Sequence, residues 1–222
     1  MSSAAYTIFR TRLISDVDEL ILIHKDSRTG KRGRHHLGHL TRSALMLSCT
    51  GLEQYIELVC QNLINKVIEN AAFRKTDLCL QKAFASYIKE NKNDLFCLQL
   101  MEDGWKDCLR KYVYDKTSLF NTPNTQNIKK LIKETTGMDV SPIFDTKRST
   151  MLNNFIKERG DITHQGANTH YPVINNVVFY RNSICELVMD IDEFLATESK
   201  KVLRKQAWCR LPSSVKILPV SA

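Results

Sequence analysis

The chain has 222 residues, of which 43% are hydrophobic and 25% charged, close to ordinary globular usage, so collagen-like, coiled-coil and disordered classes are excluded. Eight glycines and five prolines are about half the usual frequency, which argues against a turn-dense sandwich or barrel and favours long helices with few breaks. The net charge of +8 is concentrated: residues 25–42 carry +5 and residues 200–222 carry +6, leaving −3 for the rest, a distribution that points to an anionic partner.

The first helix is expected from about Ser3 to Lys25, because Tyr6, Phe9, Leu13, Val17, Leu20 and His24 recur at three- and four-residue steps. A basic, glycine-bearing loop from Asp26 to Gly38 follows. The second helix carries Leu45, Cys49, Leu52, Tyr55, Ile56, Val59, Leu63 and Val67 as a wide apolar stripe and reaches about Asn70. It is expected to pack antiparallel to the first. Between Phe73 and Tyr114 the pattern is less regular and reads as two or three shorter helices, with Leu78, Phe84, Tyr87, Leu95, Leu98, Trp105, Leu109 and Tyr112 as apolar positions.

Asn121-Thr122-Pro123-Asn124 marks a stop and a new start, and a short helix over Ile128–Thr136 is closed by Gly137. Another helix, capped near Asp145 or Thr146, turns Leu152, Phe155 and Ile156 inward and runs into Arg159-Gly160-Asp161-Ile162-Thr163-His164-Gln165-Gly166. After Pro172 a last long helix places Val177, Ile184, Val188, Ile191 and Leu195 on one face and ends near Lys205. The expected architecture is an all-α, up-down bundle of four to five long helices with short connecting helices. It forms one domain over residues 1–205 with a tail over 206–222.

Seven cysteines form no C-x-x-C pair and no secretory apolar segment opens the chain, so they read as buried thiols of a reducing compartment, and the expected location is cytoplasmic. No apolar stretch reaches the roughly 18 residues of a membrane span, so no membrane partner is expected. Thr29-Gly30-Lys31-Arg32 lacks the Ser or Thr and the preceding strand of a phosphate loop. His35, His36 and His39 lack the Glu or Cys neighbours that would make a zinc site. No metal or other cofactor is expected.

Arg159 followed by four residues and His164, just before the final long helix of an all-α bundle, resembles the signature of HEPN domains, and most closely that of the RiboL-PSP-HEPN family. The stretch Ser43-Ala44-Leu45 through Gly51-Leu52-Glu53-Gln54-Tyr55 and the short helix within Asn124–Ile143 resemble the same family. The pattern extends over about residues 5–200. The resemblance implies a metal-independent endoribonuclease, usually a homodimer whose two Arg/His motifs face each other, often a toxin or anti-phage defence effector held in check by an antitoxin or other regulatory protein. A non-catalytic HEPN module that binds RNA or a protein is the other reading.

The chemistry of the residues agrees with cutting. RNA brings its own nucleophile, the 2′-OH, so a protein needs a group that moves protons near neutral pH and a cation for the transition state. An imidazole, with an unperturbed pKa of about 6.5, serves for the first, and a permanently charged guanidinium fork for the second. His164 and Arg159 are the candidates, with Asp161 as an orienting carboxylate for either. A plainer reading makes them a helix C-terminus where Arg and His meet free carbonyls.

Five residues of helix turn the two side chains about 140° apart, which Gly160 or Gly166 would relieve by loosening the last turn, or a dimer by pairing one chain's Arg with the other's His. Gly160 also stands where the family commonly has Asn, Asp or His. Lys31, Arg32 and Arg34 in the loop and Lys201, Arg204 and Lys205 at the tail are the expected RNA-binding cations. Tyr171, Tyr180 and Trp208 are candidate stacking partners for unpaired bases.

Overall fold

The computed structural model describes residues 2–27, 37–70, 73–91, 100–165 and 171–208. Every regular element among them is helical: α1 (Ala4–Ile8), a π-helical turn (Phe9–Leu13), α2 (Ile14–Asp26), α3 (Gly38–Glu69), α4 (Leu78–Glu90), α5 (Gly104–Ser118), α6 (Thr125–Thr136), α7 (Thr146–Gln165) and α8 (Ile174–Leu203), with short 3-10 turns at Phe73–Lys75 and Ser141–Ile143. Among the described residues there is no strand, and no helix is long and apolar enough to cross a membrane.

The first expected helix is α1 and α2 joined by the π-helical turn, and that turn explains a slip in its inner face. Tyr6, Phe9 and Val17 are buried as the spacing requires, but beyond the turn Ile14 and Ile21 fill the core in place of Leu13 and Leu20. A π turn takes in one extra residue, so the apolar phase advances by one. Ser3 caps α1 by accepting from the Tyr6 N–H at 2.9 Å, and it is itself anchored. Its N–H donates to Asp192 on α8 at 3.3 Å, its hydroxyl bonds the same carboxylate, and the Tyr55 hydroxyl of α3 donates there at 3.2 Å. Burial pushes the Asp192 carboxyl up, while these hydrogen bonds pull it back.

The stripe on α3 is buried throughout, from Leu45 through Val67, and α3 packs against α2, α8 and α5. Full burial of a single aliphatic side chain on it contributes about 1.5–3 kcal/mol, so this helix organises the core. Of the apolar positions expected between 73 and 114, Phe84, Leu109 and Tyr112 are inside or nearly so, whereas Leu78 is exposed, because it is the first residue of α4, directly after the capping Asp77. Leu95 and Leu98 lie outside the described residues.

The signals around α6 are realised: Asn124 accepts from the Asn127 N–H at 2.8 Å, and Gly137 closes the helix at φ 77°, a left-handed conformation that favours glycine. Asp145 caps α7 through the Arg148 N–H at 2.7 Å. α7 then runs antiparallel to α8, since Arg148 pairs with Asp190 near one end while Phe155 meets Tyr180, ring centroids 5.2 Å apart, toward the other.

The tail begins as more than a loose extension. Ala207 N–H donates to Ser199 Oγ at 2.8 Å and the Trp208 indole N–H to the Asp192 carbonyl at 3.2 Å, after Arg204 ends α8 at φ 61°. Cys49, Cys60 and Cys185 are buried free thiols, while Cys79 and Cys108 are half-buried; Cys97 and Cys209 lie outside the described residues.

Candidate functional site

The last two turns of α7 lie against α3. Thr163 Oγ1 is 3.8 Å from Met46 Sδ, and one turn earlier the Arg159 guanidinium rests on Cys49 and Glu53. The helices are therefore antiparallel here, and α3 meets α7 with Met46, Cys49 and Glu53, spaced three and four apart. Cys49 Sγ lies 3.7 Å from Glu53 Oε1. Burial, seconded by the Glu53 charge, pushes the Cys49 thiol up to about 12, so it stays neutral. Burial likewise raises the Glu53 carboxyl above its usual range, with the Arg159 charge acting against the rise. Arg159 Nε is buried with no hydrogen-bond partner among the described residues.

Gly160 does not end or loosen the helix. α7 continues through it to Gln165, held by Ile162, which is buried, and by Thr163 Oγ1, which donates to the Arg159 carbonyl at 2.9 Å. A Cβ at Gly160 would meet nothing within 4 Å among the described residues, so its smallness serves no packing need among them. Gly166 lies outside the described residues. With the helix intact, the divergence of about 140° stands. Arg159 is drawn in against α3, and His164 is exposed on another side of the helix. Asp161 is half-buried, and its position three residues before His164 sets it on the imidazole's side rather than on that of Arg159.

The expected cations divide. Lys31, Arg32 and Arg34 lie outside the described residues; α3 begins at Gly38, near the motif end of the bundle. There the Tyr171 ring covers Gly38, and the Arg42 guanidinium lies 4.2 Å from the ring centroid. Lys201, Arg204 and Lys205 are exposed but stand at the far end of α8. Because α7 and α8 are antiparallel, His164 is next to the beginning of α8, and Lys201 follows Ile174 by some 40 Å of helix. Lys201 is also paired with Glu198 at 2.5 Å. The structure does not bring this cluster to the motif within one chain.

Of the three aromatic candidates, Tyr180 bonds Glu158 and packs on Phe155, and Trp208 is tied to Asp192. Only Tyr171 among them is largely open to solvent. Three site neighbours, Arg42, Cys49 and Glu53, were not singled out as site residues from the sequence. Their signal was the four-three-four spacing of 42, 46, 49 and 53, which puts them on one helical face, but the apolar stripe beside it dominates the pattern. Among the described residues no group of three or more His, Cys, Asp or Glu is placed to hold a metal ion.

What this arrangement can do chemically is limited and specific: a half-buried cation sits about one and a half turns from an accessible imidazole. No curated protein and no solved structure matches the chain. The model of the RiboL-PSP-HEPN family, however, matches residues 11–197, most of the bundle with the Arg159 and His164 turns inside it, and the chain belongs to that family.

Proposed function

We propose that the protein is a metal-independent endoribonuclease in which His164 moves the proton of the attacking 2′-OH and Arg159 stabilises the charge that develops on the phosphate. The observation that carries this is Arg159: a guanidinium half-withdrawn from water, beside a neutral thiol and a carboxyl raised by burial. A fixed positive charge in a partly dry setting acts more strongly on a developing oxyanion than it would in water. Glu53 and Cys49 are positioning residues; they hold the guanidinium, and Asp161 is placed to orient the imidazole.

The divergence of Arg159 and His164 on an unbroken helix favours a homodimer in which one chain's arginine serves the other chain's histidine. Family membership supports an RNA-directed module, and a toxin or defence effector under the control of an antitoxin or other regulatory protein is the setting in which such an activity is useful. The alternative is a module that binds RNA or a protein without cutting; Gly160, where the family commonly has a polar residue, is the observation in its favour.

The test is incubation of the purified chain with single-stranded RNA in EDTA, beside Arg159→Ala and His164→Ala. Cleavage leaving 2′,3′-cyclic phosphate ends, lost in both variants, is expected. Intact RNA with salt-sensitive binding would assign the chain to the non-catalytic class.

A further inference from the structure

Tyr171 is 58% exposed, and what covers the rest of its ring is unusual. The ring lies directly on Gly38, so closely that a Cβ there would stand 2.0 Å from a ring carbon. The Arg42 guanidinium, one turn along α3, stacks 4.2 Å from the ring centroid. A large aromatic side chain is thus held in place by a glycine that makes room and a cation that anchors it, while most of its surface faces water. A ring that served only to fill the core would be covered, as Tyr180 is by Phe155 and Phe179.

The location gives the pair a purpose. Arg42 precedes Met46 by four residues on the same face of α3. Met46 is touched by Thr163, and α7 runs antiparallel past it toward His164. Tyr171 and Arg42 therefore flank the end of α7 that carries the imidazole. Arg42 is also the last cation of the basic sequence stretch 25–42, whose charge suits a polyanion. The guanidinium of Arg42 holds the ring by a cation–π contact, so the side chain of Tyr171 is fixed in place before any ligand arrives.

We propose that Tyr171 and Arg42 form a platform for one unpaired nucleobase of RNA, next to the phosphate acted on by Arg159 and His164. Tyr171 takes the base by stacking, which is sequence-tolerant because every base has a π face, and Arg42 fixes the ring. The platform gives the site a preference for single-stranded over duplex RNA. This placement rests on the nuclease reading only for the phosphate beside the base; base binding is measurable without cleavage.

The experiment measures binding of a fluorescein-labelled single-stranded RNA oligonucleotide, and of the same oligonucleotide made abasic throughout, to the full chain carrying His164→Ala. Adding Tyr171→Ala or Tyr171→Leu is expected to weaken binding of the intact RNA about five- to a hundredfold, and Tyr171→Phe less than about twofold. Gly38→Ala, which displaces the ring without removing it, is expected to act in the same direction as Tyr171→Ala. The abasic RNA is expected to bind equally to Tyr171→Ala and its parent, a base dependence that a merely structural role does not produce.

Equal losses on intact and abasic RNA, or no loss on either, overturn the platform. Cleavage by chains with an intact His164 separates this from the nuclease reading. Cutting that stops with His164→Ala but ignores Tyr171→Ala leaves the nuclease standing and removes the platform. Base-dependent binding through Tyr171 without any cutting does the reverse.

Discussion

Arg181 and Arg159 are both withdrawn from water, and they are held in opposite ways. Arg181, on the seam between α2 and α8, is 1% exposed. It donates Nε and Nη2 to the two carboxylate oxygens of Asp18, each at 2.7 Å, and Nη1 to Asn182 at 3.1 Å. Arg159, on the seam between α3 and α7, is only half-buried and rests on a neutral thiol and a carboxyl raised by burial, with Nε unpartnered among the described residues. The first fork is saturated by the fold and has nothing left for a ligand. The second is less completely paired and keeps its charge in hand, so burial alone does not mark a site.

The comparison breaks most directly at the motif. His164→Ala and Arg159→Ala are each expected to lower RNA cleavage by about 10²–10⁴-fold, the range for losing a general acid/base or an oxyanion donor. Thermal melting of His164→Ala should match the wild type, because the imidazole is exposed. At the saturated seam the effects reverse. Asp18→Ala leaves the buried Arg181 charge uncompensated and is expected to cost about 3–5 kcal/mol in denaturant unfolding, with cleavage per folded molecule unchanged. Equal damage to activity from both seams would erase the distinction.

A smaller effect sharpens it. Burial raises the Glu53 carboxyl above its ordinary 4.5, and the Arg159 charge only partly opposes that. The folded chain then holds this proton more tightly than the unfolded chain, so the contribution of Glu53 to stability falls as pH rises from about 4.5 through the raised value. Glu53→Gln is therefore expected to gain in melting temperature relative to the wild type between pH 4.5 and 8. A relative loss over that range would mean that the attraction to Arg159 outweighs burial.

The smallest effect concerns the distant cations. Combined Lys201→Ala, Arg204→Ala and Lys205→Ala should flatten the salt dependence of binding to long RNA and leave binding of a short oligonucleotide at the motif unaltered. A change with the short oligonucleotide would place the tail at the cutting site, contrary to its separation along α8.

Much of the bundle was legible in the sequence because its strongest signals are local. The α3 stripe, the Asn124 and Gly137 ends of α6 and the Asp145 cap of α7 each follow from residue types at fixed offsets. The phase slip at the π-helical turn was not legible, since Leu13 and Ile14 are equally apolar and only packing against α3 and α8 selects between them. Gly160 misled for the opposite reason. An interior glycine costs a helix roughly 1 kcal/mol, but the packing of Ile162 and the seating of Thr163 on Met46 carry α7 across it. At the candidate site, the spacing of Arg159, His164 and Asp161 makes them candidates from the sequence alone, whereas Glu53, Cys49 and Arg42 become candidates only when α3 and α7 are laid side by side.

The central claim, that Arg159 and His164 act together from different chains on the same phosphate, is tested by mixing the two inactive variants. Co-refolded Arg159→Ala and His164→Ala chains are expected to form mixed dimers in which one of the two sites recovers both residues. Random pairing of a symmetric dimer predicts cleavage restored to about a quarter of the wild-type rate. A mixture as inactive as either variant alone would contradict the shared site.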